Sequence, residues 1–233
     1  MRRSASVLLI AVLGHFLLRP EMCAMTVLCL GDSITCGKSS PADVRGGYRG
    51  TLHTLLVQAG KPARFLGERI DNSEGLAEPR HEGWPGYRID EIGRAAKPGL
   101  KNGDADVVLL LAGTNDVRQG FAVAEAPARL EALATRVARL QPQARVLVGS
   151  LPPLLADAKH PQQVAALAEF NRAVPTVVAR CAARGLRVEC VDLHAALSST
   201  DICPDTVHPN AAGYAKMAAA WFAAIERTAP RDQ

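Results

Sequence analysis

The stretch that decides the fold is Val27-Leu28-Cys29-Leu30-Gly31-Asp32-Ser33-Ile34. Its first half is apolar and shows no polar alternation, the mark of a parallel strand covered on both faces. Its second half breaks into a turn, so Ser33 emerges at the strand's C-terminal end, where open α/β sheets place their ligands. Similar strand-like runs cover residues 26–30, 63–66, 106–112, 144–150 and 186–191. Helical segments fall between them at 49–59, 88–96, 127–140, 162–183 and 211–227, with a kink expected at Pro175. Strict alternation of this kind implies a three-layer α/β/α domain around a mostly parallel five-stranded sheet with right-handed crossovers. Strand order is not readable from such a pattern.

Working outward, the 233 residues, 48% of them hydrophobic, suffice to bury one sizeable core in one domain. The formal net charge of +4 is mild, and the basic residues are scattered along helical segments, so nucleic acid is not the indicated partner. There is no internal repeat, no low-complexity tract and no second apolar stretch long enough to cross a membrane. Arg2 and Arg3 precede an apolar run over 5–18, the order of a secretory signal. Residues 1–24 therefore read as a signal peptide or N-terminal extension, giving a secreted or periplasmic protein. The alternative is translation from Met25 and a cytoplasmic location, favoured by His15 within the run and by Met22 where a small residue is expected before cleavage. Either way the folded domain spans 25–233. Cys23, Cys29, Cys36, Cys181, Cys190 and Cys203 lack the close pairing of a zinc site. Cys29 and Cys190, in apolar runs, read as small buried thiols.

Two further segments stand where an apolar run meets a turn: Gly113-Thr114-Asn115-Asp116 and Asp205-Thr206-Val207-His208. On a parallel sheet the strand ends share one edge, so these can meet Ser33. A serine hydroxyl is a weak nucleophile until a base takes its proton. His208 is the candidate base, with Asp205 placed to hold its ring. Taken singly, Ser33 is a turn or cap serine and Asp205 and His208 a surface loop; taken together, they point to a serine esterase.

Gly31-Asp32-Ser33-Ile34, the glycine of His81-Glu82-Gly83-Trp84-Pro85-Gly86-Tyr87, Gly113-Thr114-Asn115-Asp116 and Asp205-Thr206-Val207-His208-Pro209 resemble the four conserved blocks of the SGNH (GDSL-type) hydrolases, over nearly everything after Met25. The resemblance implies a flavodoxin-like fold and a carboxylic ester hydrolase. It makes Ser33 the nucleophile and Asp205 and His208 the rest of a triad. The oxyanion hole would comprise the N–H groups of Ser33 and Gly86 and the Asn115 side chain. Glycine at 86 would let a backbone N–H approach an acyl oxygen with no Cβ in the way. Within that superfamily, Gly47-Tyr48-Arg49 and residues 81–92 look most like the acetylxylan esterases of carbohydrate esterase family 3, which remove acetyl groups from sugars. The substrate would be a small-molecule or carbohydrate ester, with Trp84 and Tyr87 offering faces to a sugar ring; Trp84 reads equally as a packing residue. No cofactor and no metal are implied.

Other residues are discounted. Asp192 and His194 form a second acid and histidine pair directly after the last strand, but the motif match selects Asp205 and His208. Asp32 and Asp116 are expected to hold loop backbone. His81 and Glu82 hint at a metal but have no third ligand at helical spacing, and Arg80 and Arg88 are read as solvated. Two alternatives stay open: a lysophospholipase or thioesterase type of lipid hydrolase, and a non-catalytic carbohydrate-binding relative.

Overall fold

The structure, a computed structural model, describes residues 24–39, 44–155 and 161–227. Apart from Ala24, the segment read as a signal lies outside these, as does Cys23. The strands are β1 (Met25–Gly31), β2 (Ala63–Leu66), β3 (Glu82–Gly83), β4 (Val107–Leu111), β5 (Arg145–Gly149) and β6 (Val188–Val191). The main path through the sheet runs β2-β1-β4-β5-β6, every pairing parallel. β4 is buried at all five positions, as its unbroken Val-Val-Leu-Leu-Leu requires of a strand packed on both faces. The sheet therefore has six strands where five were expected. β3 adds two residues beside the end of β1, pairing Leu30 with Glu82 and Gly31 with Gly83. A two-residue strand shows no periodicity, which is why the sequence hid it.

The long helices are α2 (Tyr48–Gln58), α3 (Ile89–Ala95), α5 (Ala126–Leu140), α6 (Gln162–Ala182) and α8 (Ala211–Glu226). They pack as two sets, α2 with α8 and α3 with α5 and α6. α8 starts where the Asn210 side chain accepts the Gly213 N–H, and it buries Tyr214, Met217, Ala218, Trp221, Ala224 and Ile225, a stripe of helical period. α6 is one continuous helix from Gln162 to Ala182 with Pro175 inside it. Cys29 is buried, whereas Cys190 is only half-buried; both are free thiols.

Three short helices begin just past strand ends: α1 (Ser33–Cys36) after β1, α4 (Thr114–Arg118) after β4 and α7 (Leu193–Ala196) after β6. Both neighbours of β1 follow it in the chain, but β2 is laid on one side of it and β4 on the other, so the winding of the sheet reverses at β1. This makes the β1/β4 edge a topological switch point, the crevice where such sheets bind ligands. Ser33 and Asn115 stand on its two sides.

Candidate active site

Ser33 opens α1. The Asp32 side chain caps this helix by accepting the Ile34 N–H at 2.9 Å. Asp32 is fully buried, and burial raises its carboxyl above the usual range despite that bond. Ser33 Oγ lies 2.9 Å from His208 Nε2, across 175 residues of sequence. His208 Nδ1 lies 2.6 Å from Asp205 Oδ2. The other Asp205 oxygen accepts the N–H groups of Val207 at 3.1 Å and His208 at 2.9 Å. This network selects one tautomer: Nδ1–H donates to Asp205, and Nε2 accepts from the serine hydroxyl. Burial alone would raise the Asp205 carboxyl, but the His208 N–H, the His208 ring and the Val207 N–H outweigh it and hold it below its ordinary range.

The loop bearing this pair is fixed at several points. Thr206 adopts a left-handed φ of 71°, uncommon for a β-branched residue, which bends the chain so that Asp205 and His208 face each other. Cys203 N–H donates to His208 O at 2.7 Å. Upstream, buried Asp201 accepts both of its Lys216 contacts, at 2.9 and 2.7 Å. Lys216, with the Ser198 N–H, holds the Asp201 carboxyl down at about 2.

Opposite stands α4. Asn115 Nδ2 donates one N–H to Tyr87 O at 3.0 Å, leaving the second amide N–H to point elsewhere. Among the described residues, the backbone N–H groups of Ser33 and Gly86 have no acceptor. The turn carrying Gly86 is tied to α4 again by Gln119 Nε2 donating to Gly86 O at 3.1 Å and by Ile89 N–H donating to Asp116 Oδ2 at 3.0 Å. Asp116 is buried and takes Arg129 Nε and Nη2 at 3.1 and 2.8 Å; burial still keeps its carboxyl above the ordinary range. Gly86 has φ of 80°, and a Cβ built on it would meet nothing within 4 Å. The positive φ at 86 is a backbone conformation that favours glycine whatever the space around it.

His81 and Glu82 turn out to be scaffold. His81 Nδ1 accepts the Gly83 N–H at 3.0 Å and Nε2 donates to Asp71 O at 2.9 Å. Burial, and then Arg49, push its pKa down to about 4, so the ring is neutral. Cys36, Asp71 and His81 do bring three potential metal-ligating atoms within 4.8 Å, a trio too dispersed in sequence to be seen there. With its lone pair accepting from Gly83 and its N–H donated to Asp71, the His81 ring has nothing to offer an ion. Buried Glu82 accepts from Glu68 N–H at 2.7 Å and from Trp84 Nε1 at 3.1 Å. Burial raises its carboxyl.

Trp84 is half-buried, with the Arg69 guanidinium 4.5 Å above its ring and Tyr87 stacked at 5.6 Å. Of this pair, Tyr87 is the exposed member. Arg80 donates to Gly67 O. Arg88 bonds Gln119 and Glu91 and covers the Phe121 ring at 4.3 Å, so neither arginine is merely solvated. Asp192 and His194 do not face each other: Asp192 accepts from Ser150 Oγ and Ala195 N–H, while His194 Nδ1 contacts Leu151 O at 3.1 Å. A cavity of about 540 Å³, lined among others by Arg45, His53 and Glu74, opens beside α2 and shares no residue with the Ser33 constellation. The supports missed from sequence (Gln119, Arg129, Lys216) are ordinary polar positions on helices, and nothing local marks their distant partners.

The model of the GDSL-like Lipase/Acylhydrolase family matches residues 29–216. A multidomain esterase of Ruminococcus flavefaciens is 27% identical over 228 residues, which cover 86% of this chain and 28% of that protein. The chain thus spans under a third of that relative. A family 3 carbohydrate esterase of Clostridium thermocellum superposes with a TM-score of 0.72 at 26% identity, covering 86% of this chain and 94% of the other. A family 3 carbohydrate esterase from Talaromyces cellulolyticus gives 0.72 at 22%, covering 86% and 96%; the acetylxylan esterase Axe2 of Geobacillus stearothermophilus gives 0.65 at 18%, covering 90% and 97%. At those identities the last two speak to fold alone.

Proposed function

Because the chain belongs to the GDSL-like lipase/acylhydrolase family and is a carboxylic ester hydrolase, we propose that it removes acetyl groups from a carbohydrate through a Ser33-His208-Asp205 triad. The observation that carries this reading is the continuous line from Ser33 Oγ through both nitrogens of His208 to Asp205. The carbohydrate part draws on the named activities of the relatives and on the His81 to Tyr87 block, whose exposed Tyr87 offers a ring face beside Asn115.

In the first half-reaction His208 Nε2 takes the Ser33 proton as Oγ attacks the ester carbonyl. The negative oxygen of the tetrahedral intermediate is met by the free N–H groups of Ser33 and Gly86 and the second N–H of Asn115. Protonated His208, steadied by the Asp205 carboxylate, then gives its proton to the departing sugar hydroxyl and leaves an acetyl-Ser33 ester. Water repeats the sequence: His208 takes its proton, the hydroxide adds to the acyl carbon, and acetate leaves as Ser33 regains its proton. Residues 1–24 act in this reading as an export signal, and the N-terminal sequence of the protein recovered from its natural cell checks that.

The test compares acetate, butyrate and octanoate nitrophenyl esters with an acetylated xylooligosaccharide. Acetyl substrates are expected to lead, and Ser33→Ala to lose about 10³-fold or more. Preference for octanoate would favour the lipid-hydrolase alternative, and a folded Ser33→Ala protein of near-normal activity would end the triad assignment.

A further inference from the structure

Helix α2 carries Arg49 on its buried side, with Tyr48, Leu52 and Leu56. Its guanidinium is fully enclosed, and the acceptors it meets among the described residues are backbone carbonyls and one hydroxyl. Desolvation penalises a buried cation unless its donors are used, and here burial lowers the Arg49 pKa. Its contacts fall into two groups. Nε donates to Thr35 O at 3.0 Å and Nη2 to Cys36 O at 3.1 Å, the carbonyls of the last two residues of α1, whose first residue is Ser33. Nη1 donates to Pro79 O at 3.0 Å and Nη2 to Ser73 Oγ at 2.9 Å, in the segment that leads through His81 and β3 to the Gly86 turn. Ser73 Oγ also donates to Pro79 O at 2.8 Å, closing the arrangement. One planar fork therefore joins the piece of chain carrying the serine to the piece carrying Gly86. The same two pieces also meet in the two-residue pairing of β1 with β3, in Trp84 N–H donating to Gly31 O at 2.8 Å, and at Cys36 Sγ, which lies 3.3 Å from Asp71 Oδ2 and 3.1 Å from Asn72 Nδ2. Arg49 adds to these the tie to the Ser73 and Pro79 end of the segment.

We infer that Arg49 is a positioning residue, setting the placement of Ser33 relative to the Gly86 N–H. It touches no reacting atom; its work is to keep α1 and the 73–86 segment in one register, and errors of about 1 Å in such placement cost on the order of 10² in rate. The inference rests on Ser33 as nucleophile and Gly86 as an oxyanion donor. Lysine keeps the charge but cannot span both groups of acceptors, so the two roles separate in one substitution.

Arg49→Lys, Arg49→Ala and Ser73→Ala are compared with the wild type for kcat and KM on nitrophenyl acetate and for Tm. Both Arg49 variants are expected to lose about 10- to 10²-fold in kcat with KM within about twofold, because binding of the small ester does not use the clamp. Millimolar guanidinium, far below denaturing concentration, should restore part of the kcat of Arg49→Ala and none of that of the wild type. Ser73→Ala, which removes one acceptor and leaves α1 held, should keep the fold and lose kcat a few-fold, and so reads out the clamp even if the Arg49 variants do not fold. Wild-type kcat in any folded variant of this set, or guanidinium that raises the Tm of Arg49→Ala but not its kcat, overturns the inference. Ser33→Ala run alongside separates the two failures: an inactive Ser33→Ala beside fully active Arg49 variants refutes the clamp alone.

Discussion

Replacing Asp205 by asparagine is expected to damage the enzyme more than replacing it by alanine. One carboxylate oxygen accepts two backbone N–H groups, from Val207 at 3.1 Å and His208 at 2.9 Å; the other meets His208 Nδ1 at 2.6 Å. An asparagine placed here has one acceptor and one donor end. Turning its NH2 toward the two backbone donors loses both bonds, so its oxygen takes that side and its NH2 faces Nδ1. The ring must then accept at Nδ1 and carry its proton on Nε2, and a protonated Nε2 cannot receive the Ser33 proton. A wrong tautomer of this kind costs about 10⁴-fold in kcat, or roughly 5 to 6 kcal/mol. Alanine imposes no tautomer, and because the Asp205 side chain is 40% exposed, water can replace the lost acceptor. Its loss should be about 10- to 100-fold smaller than that of Asp205→Asn. The assay is kcat on nitrophenyl acetate, with circular dichroism to establish folding and ¹⁵N spectra of labelled histidine to read the His208 tautomer. Asp205→Asn matching or exceeding Asp205→Ala in kcat, or a His208 spectrum unchanged by the substitution, would refute the tautomer argument.

Other expectations follow from the same contacts. His208→Ala should remove most activity, while His194→Ala changes it only through stability; equal losses in two folded proteins would contradict the assignment. Asn115→Ala should lower kcat by about 10² to 10³ with little change in KM, and a raised KM at constant kcat would move this side chain to ground-state binding. Gly113 has φ of 130° and a Cβ there would lie 2.5 Å from Phe170 Cζ. Gly113→Ala should therefore cost about 2 to 5 kcal/mol in urea unfolding, from backbone strain and overpacking together. Adding Phe170→Leu should relieve only the second part, and strict additivity of the two changes would show that the ring is not the obstacle. Lys216→Met should cost about 1 kcal/mol at neutral pH, since Lys216 is half exposed. The Asp201 carboxyl is depressed in the folded protein, so its contribution is complete above its unfolded value near 4 and disappears as the pH falls through about 2. The gap between Lys216→Met and wild type should close over that window, and a gap constant down to pH 2 would place the effect elsewhere.

The α/β alternation, the strand ends and the residues of the Ser33 line were all written in the sequence. A fully buried parallel strand is a continuous apolar run and a packed helix is a stripe of 3.6 period, so both are local patterns. β4 starts and stops within a residue of the run at 106–112, and α8 within a residue of 211–227. Once strands are parallel, their C-terminal ends must share an edge, which made the meeting of Ser33 with a histidine 175 residues away foreseeable. Only the tertiary structure decided the rest. β3 is too short to have a period, and the stacking of Arg69 on Trp84 depends on how separate segments pack. Asp192 and His194 were ruled out as a facing pair by where Ser150 and Leu151 happen to lie. Arg49 did leave a trace, a charge on the apolar face of a helix with Leu52 and Leu56. Its meaning depends on four acceptors from segments 13 to 30 residues away, which no local pattern encodes. Burial is legible from sequence because it is a property of each element, whereas a hydrogen-bond partner is a property of how elements meet.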